Sequence, residues 1–297
     1  MLHWSELLNF ARILVNRPSD ELDDDAFWSL YTRATEPRGR ADLLCVLMTY
    51  NRPEASCNVL QALHEALAGE PAFVLVLNDR SDSDYTATRA AAVALFGERL
   101  FWLDARERIG KPGFWKAYQV AFLVARAQQP SHALFLQDDL GFEPDLLQRT
   151  RRLWSATAAD PLRRVLYLFS SEEDERFGRW VLALRRAAGA GLRLTQWFDL
   201  QAFFVDRAFF ELLAYRMVPV HRNRWRRKPR VSSGVGKQLT LRLRGRANVY
   251  QAYPPLVFHG GLESEMNPQA RARRALDNRA LAELARVNTS QTGSRDD

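Results

Sequence analysis

The sequence predicts an α/β fold with a mostly parallel sheet flanked by helices, and three observations lead there. From Asp42 onward, short apolar runs alternate with helix-spaced segments, the order that produces right-handed crossovers and parallel pairing. The runs are nearly continuous in apolar residues, as expected of strands covered on both faces. Three of them end in polar clusters: Thr49-Tyr50-Asn51-Arg52, Asn78-Asp79-Arg80-Ser81 and Gln137-Asp138-Asp139. Parallel strands bring their carboxyl ends to one edge, where open α/β sheets bind ligands, so the clusters should converge.

Residues 1–40 read as a helical extension of mixed charge, with Pro18 and Pro37 as breakers. Residues 43–48 form the first strand, followed by a helix through Val59, Leu60, Leu63 and Leu67 at helical spacing. Residues 73–77 are the second strand, an Ala-rich helix follows, and residues 100–103 are a short third strand. Phe114, Tyr118, Ala121, Phe122 and Ala125 mark an amphipathic helix that leads to the fourth strand at 133–136. After Arg164 the pattern changes. Residues 165–169 and 202–205 are strand-like, 209–213 begin a helix, 234–244 read as helix or strand, and 249–253 close before Pro254-Pro255. An Arg/Ala-rich helix is expected from Arg271 and a frayed tail from Asn288.

Hydrophobic residues at 47% and aromatics at 11% exclude a disordered chain. The 42 basic residues exceed the 35 acidic ones, giving +7, which favours anionic substrates or polyanionic partners. Cys45 and Cys57 lack metal-ligand spacing, as expected of a reduced, cytoplasmic protein. The amino terminus shows no secretory signal, and no run approaches the roughly 18 apolar residues of a membrane span.

The chemistry concentrates at the strand ends. Two adjacent carboxylates at the end of an apolar strand are costly to bury unless a positive charge meets them. A divalent cation carrying a phosphate-bearing ligand is the natural partner. Asp79 could accept from the N–H of a uracil-like base, and Asp139 could hold a metal bridging two phosphates. Lys111, in Ile109-Gly110-Lys111-Pro112-Gly113, precedes a helix amino terminus, where a lysine and backbone N–H groups suit a diphosphate.

In the order and spacing of these clusters, residues 42–265 resemble glycosyltransferases of the GT-A fold, a Rossmann-like nucleotide-diphospho-sugar transferase fold, and are similar to its large family-two-like group. The segments that carry the resemblance are Thr49-Tyr50-Asn51-Arg52-Pro53, Asn78-Asp79-Arg80-Ser81, Gln137-Asp138-Asp139 and the later stretch from Pro255 to Ser264. It implies an N-terminal extension at 1–40, a transferase domain at 41–265 (donor half 41–150, acceptor half 151–265), and a C-terminal helix and flexible tail at 266–297. It also implies that Thr49, Asn51, Arg52 and Asp79 line the pocket of a nucleotide-sugar donor, most readily a UDP-sugar, with Tyr50, Asn78 and Lys111 on the same donor side. Asp138 would sit near the ribose and Asp139 would ligate Mn2+ or Mg2+. His259 is a candidate further metal ligand or diphosphate contact.

Two departures from that pattern stand out. Gln137 occupies the place of the first acid of an Asp-x-Asp motif, and residues 235–243 lack the Glu-Asp pair that supplies the general base in such enzymes. Asp199, flanked by Trp197, Phe198 and Gln201, is the best remaining base, because aromatic neighbours raise a carboxyl pKa and exclude water. Trp197 and Gln201 are then expected at the acceptor. So are Arg224, Trp225, Arg226 and Arg227, which lie in a basic run from Arg222 to Arg230. Such a run suits a nucleic-acid backbone, with Trp225 stacking on or wedging beside a base. A hydroxymethylated pyrimidine in DNA, as modified by some viral enzymes, is the acceptor this suggests, and a base in duplex must be extruded to be reached. Two alternatives stand beside it: a transferase building a cell-surface or capsular saccharide, and a catalytically silent nucleic-acid-binding module on the same scaffold.

Overall fold

The structure is a computed structural model and describes residues 23–33, 41–169, 192–195, 200–220 and 233–259, with the side chains of Arg193 and His259 outside that description. The basic run at 221–230 and the expected site residues Trp197, Asp199, Arg224, Trp225, Arg226 and Arg227 lie outside the described residues.

The apolar runs become the sheet interior. Strands β2 (Leu43–Thr49) and β3 (Ala72–Asn78) are buried at every position, which is why their sequences show no polar alternation. Helix α2 (Pro53–Leu67) starts with Pro53 in its first turn and turns Val59, Leu60, Leu63 and Leu67 inward, proline being favoured there because the first N–H groups of a helix lack partners anyway. Helices α3 (Thr86–Phe96) and α4 (Gly110–Gln128) make the next crossovers, to β4 (Leu100–Ala105) and β5 (His132–Gln137). Strands β4, β3, β2 and β5 are successive parallel neighbours.

Among the described residues, nine strands form one sheet in the order β1 (Tyr31–Arg33), β4, β3, β2, β5, β9 (Ala202–Asp206), β7 (Arg163–Tyr167), β10 (Asn248–Ala252) and β8 (Leu192–Thr195). The helical expectation for 1–40 is met at α1 (Asp24–Trp28) but not at β1 (Tyr31–Arg33), which pairs antiparallel with β4. The exposed edge of β4 offers unpaired backbone groups, and a Tyr-Thr-Arg segment has the strand preference to fill them. On the other side, β5 meets β9 (Ala202–Asp206) and β9 meets β7 (Arg163–Tyr167), both antiparallel. Strand β7 runs parallel to β10 (Asn248–Ala252), and β10 antiparallel to β8 (Leu192–Thr195). The predicted α/β class is therefore the observed one, a parallel centre with antiparallel pairing on both flanks.

Residues 234–244, open between helix and strand in the sequence, contain helix α7 (Val235–Leu243). Gln238 on α7 bonds both the N–H and the C=O of Val218, and Arg242 bonds the carbonyls of Leu213 and Arg216. These side chains satisfy the turns after helix α6 (Arg207–Leu212), the described helix that follows α5 (Leu146–Ala156) in sequence, a contribution that no period count reveals. Among the described residues, no helix is long and apolar enough to cross a membrane.

Two features position the site. Tyr118 of α4 stacks on Phe135 of β5, 5.7 Å between ring centroids at 10°, and Phe135 stacks on Phe203 of β9, 4.6 Å at 9°. This ties the helix that begins at the site to the strand that ends there. Immediately beyond Asp139, β6 (Leu140–Phe142) pairs antiparallel with β11 (Val257–His259). A Cβ on Gly141 would come within 2.4 Å of the Phe258 ring, so glycine is what allows the ribbon to close at that point.

Candidate active site

Register brings the three polar clusters to one level: Thr49 is paired with Asn78, and Met48 with Gln137. A cleft partly open to solvent lies at this carboxyl edge. Its wall includes Thr49, Tyr50, Arg52, Asp79, Lys111, Asp138 and Asp139. Segments near positions 50, 79, 111 and 138 thus meet around one space, as the parallel topology requires.

The acid pair is held from the β2 side. Asp138 Oδ2 accepts from Thr49 Oγ1 and from the Tyr50 N–H, each at 2.9 Å. Asp139 Oδ2 accepts from an Arg52 guanidinium nitrogen at 2.8 Å, and the same nitrogen is 3.5 Å from Asp138 Oδ1. Both acids are only 7% exposed. Burial, and then the charge of Asp139, push the Asp138 carboxyl up to about 7, against the pull of the Tyr50 N–H, Arg52 and Thr49.

That shift gives a pH prediction. An unfolded Asp ionises near 3.8, so between that value and about 7 the folded state binds the extra proton. Stability from this group is present at low pH and falls as pH rises through 7. Thermal midpoints of the wild type should decline from pH 5.5 to 8 relative to Asp138→Asn, which removes the titration. Parallel profiles for the two proteins would refute the assignment.

Asp79 has a different partner set from the one expected. Its Oδ1 accepts from the Ile109 N–H at 2.5 Å and its Oδ2 from the Gly110 N–H at 2.7 Å. The carboxylate therefore ties down the start of α4, a favourable position for a negative charge. Burial raises its pKa, opposed by these two N–H groups and by Arg108. Two of the amides that the sequence offered to a diphosphate are thus already occupied, leaving the cationic side chains Lys111 and Arg108 on the cleft wall.

Asn51 and Asn78 are not among the residues on the cleft wall, and their amides bond within the adjoining loops. Asn78 donates to Asp104 at 2.8 Å and accepts from Ser81 Oγ at 2.6 Å; Ser81 in turn accepts from the Asn51 N–H at 2.9 Å. Asn51, at φ 54°, accepts from the Asp82 N–H at 2.7 Å. Short amides at strand ends are drawn into backbone turns in this way, and here they shape the loops that carry the cleft residues. Gln137 lines the cleft and donates to the Leu200 carbonyl at 3.2 Å. A carboxylate could not make that bond, which is a physical reason for Gln in place of Asp. It anchors the residue next to Asp199. Gln201 is half-buried just before β9. The backbone of His259 is paired with Leu140, one residue beyond Asp139.

Sequence reading missed several members. Tyr85 is 5% exposed, and its hydroxyl lies 2.6 Å from Thr49 Oγ1 while accepting from the Arg52 N–H at 2.8 Å. It braces both residues that hold the acid pair, yet it sits in a loop with no local signature. Arg108 lies over the Tyr50 ring at 4.5 Å, and Tyr31 from β1 also lines the cleft. Tyr85→Phe is expected to cost about 1–2 kcal/mol of stability from the buried bonds lost and to weaken donor affinity by roughly fivefold through Thr49 and Arg52. Thermal melts and nucleotide titration check both.

Among the described residues, no group of three or more His, Cys, Asp or Glu forms a metal centre. Among the described residues of the cleft wall, Asp138 and Asp139 are adjacent hard carboxylate donors. Mg2+ commonly takes one or two carboxylates and completes its shell with phosphate and water, and the pair already draws a cation, Arg52. The residues fit such an ion as a two-carboxylate site completed by a diphosphate.

No protein-family model matches the chain, and no curated protein sequence matches it. Solved structures do. A mannosyltransferase from Pyrobaculum calidifontis, in complex with GDP-Man and Mn2+, aligns at TM-score 0.43 and 17% identity over 70% of this chain and 56% of its own. Residues 1–349 of S. aureus TarS align at TM-score 0.45 and 14% identity over 71% and 60%. Glucosyl-3-phosphoglycerate synthase from Mycobacterium tuberculosis, in complex with Mn2+, UDP-Glc and phosphoglyceric acid, aligns at TM-score 0.41 and 18% identity over 87% and 82%. The chain spans less than two thirds of the first two.

Proposed function

We propose that this chain is a GT-A-type glycosyltransferase that moves a sugar from a nucleotide-sugar donor to an acceptor hydroxyl. The observation that carries the reading is a cleft at the carboxyl edge of the parallel strands, walled by Thr49, Asp79, Lys111, Asp138 and Asp139. Ligands of open α/β sheets bind at such an edge, and this one combines paired acids with Arg52, Arg108 and Lys111.

In this reading the nucleotide lies along the ends of β2 and β3, in the donor half 41–150, with its diphosphate towards Lys111 and Asp139. Arg108 and Lys111 hold the leaving diphosphate in place. A divalent cation, when bound by Asp139 and Asp138, would neutralise the charge that develops as the sugar–phosphate bond breaks. The acceptor oxygen attacks the anomeric carbon, the bonding electrons leave with the diphosphate, and a base takes the hydroxyl proton. Asp199 remains the proposed base. Its support is that the next residue, Leu200, is bonded through its carbonyl to Gln137 on the cleft wall.

Purified protein incubated with UDP- and GDP-sugars and Mn2+ or Mg2+ is expected to release nucleoside diphosphate, and Asp139→Asn to abolish that release. No release and no nucleotide binding with any donor would sink the reading, and nucleic-acid binding without release would favour the silent module. For the acceptor, the basic run at 222–230 supports a polyanion. Duplex DNA containing hydroxymethylated pyrimidines should gain the mass of one hexose per modified base, whereas gain on an oligosaccharide alone assigns the saccharide acceptor.

A further inference from the structure

The acid pair of the cleft faces a cation supplied by its own chain. An Arg52 guanidinium nitrogen is 2.8 Å from Asp139 Oδ2 and 3.5 Å from Asp138 Oδ1, with the side chain about 10% exposed. We propose that Arg52 is a built-in counter-ion of this pair, competing with a divalent cation for Asp139 and moving to the donor diphosphate when the cation binds. The inference rests on the transferase reading for the identity of the diphosphate, but the competition itself does not.

The anchoring of Arg52 suits a side chain that moves while its backbone stays. Its N–H donates to Tyr85, and its C=O accepts from the Ser56 N–H at 2.9 Å and from Ser56 Oγ at 2.7 Å. The backbone is thus fixed at the start of α2, and the long arginine side chain is the adjustable part. A guanidinium and a dication cannot both sit on the Asp139 carboxylate without strong like-charge repulsion in a partly buried site. The displaced guanidinium has a destination. The cleft that receives it also carries Arg108 and Lys111, and an arginine binds phosphate oxygens in a bidentate fork.

A consequence is reciprocal coupling. If the diphosphate takes Arg52 away from Asp139, nucleotide tightens metal binding and metal tightens nucleotide binding by the same factor. Donor-free protein should then hold metal weakly even though its two carboxylates are in place.

Mn2+ binding to the full chain, read from the loss of the free-ion EPR signal, tests this with and without UDP or GDP. For the wild type, nucleotide is expected to tighten Mn2+ about tenfold. Arg52→Gln, which removes the charge, is expected to bind Mn2+ alone about tenfold tighter than the wild type and to lose the share of the coupling that comes from releasing Arg52, keeping the share from direct phosphate–metal contact. Arg52→Lys keeps a positive charge and should retain weak Mn2+ binding, which also guards against misfolding of the Gln variant. Asp139→Asn should bind no Mn2+ in this range. Mn2+ binding by a folded Arg52→Gln protein that is no tighter than wild type, with Arg52→Lys behaving the same, overturns the proposal. If neither nucleotide binds while Arg52→Gln still tightens Mn2+, the competition stands and the transferase reading falls.

Discussion

Asp139→Asn is expected to reduce turnover of the nucleotide-sugar donor by about 10³-fold or more, the scale of losing a group that stabilises charge in the transition state. The loss should come without unfolding. Asparagine keeps the shape of the side chain, and removing the negative charge relieves one of the two causes that push Asp138 upward. Arg52 loses its 2.8 Å partner but retains Asp138 within reach. Stability should therefore change by no more than about 1–2 kcal/mol while catalysis collapses. Steady-state release of nucleoside diphosphate beside a circular-dichroism melt separates the effects, and activity within tenfold of wild type in a folded protein would exclude Asp139 from the chemistry.

The second large effect is expected at Asp79 and has the opposite character. Asp79→Ala leaves the Ile109 and Gly110 N–H groups, bonded at 2.5 and 2.7 Å, without their acceptor at the start of α4. Each buried donor left unsatisfied costs about 1–3 kcal/mol, so the melting midpoint should fall by roughly 5 °C or more. Because Lys111 follows directly, donor affinity should fall with it. Asp79→Asn keeps one carbonyl acceptor and should lose about half as much. Hydrogen exchange should show the opening confined to residues 109–114. An Asp79→Ala protein that melts like wild type would mean that the carboxylate is not what fixes this helix.

The contrast between these residues explains what was legible in the sequence. Runs such as 43–48 and 133–136 declared themselves because a doubly covered strand must be apolar throughout, and parallel topology alone then brought Asp79 and Asp139 to one edge. Non-local satisfaction was invisible. Nothing near Tyr85 announces that its hydroxyl will bridge Thr49 and Arg52, and nothing near Gln238 or Arg242 announces that they will hold turns at 213–218. Second uses of a side chain were also invisible: Asn51 and Asn78 bond within the loops beside the cleft, and Asp79, on the cleft wall, also accepts from the first N–H groups of α4. Tyr31–Arg33 became a strand because β4 needed an edge partner, a demand set elsewhere in the chain.

One nucleotide diphosphate is expected to seat among the ends of β2, β3 and β5 and the start of α4. A crystal structure of the full chain soaked with UDP and Mn2+ addresses this directly. Density for the diphosphate is expected between Lys111 and Asp139, with the uridine along Thr49 and Asp79 and the Arg52 guanidinium turned from Asp139 to a phosphate oxygen. UDP bound away from this cleft, or a diphosphate that contacts neither Lys111 nor the metal on Asp139, would contradict it.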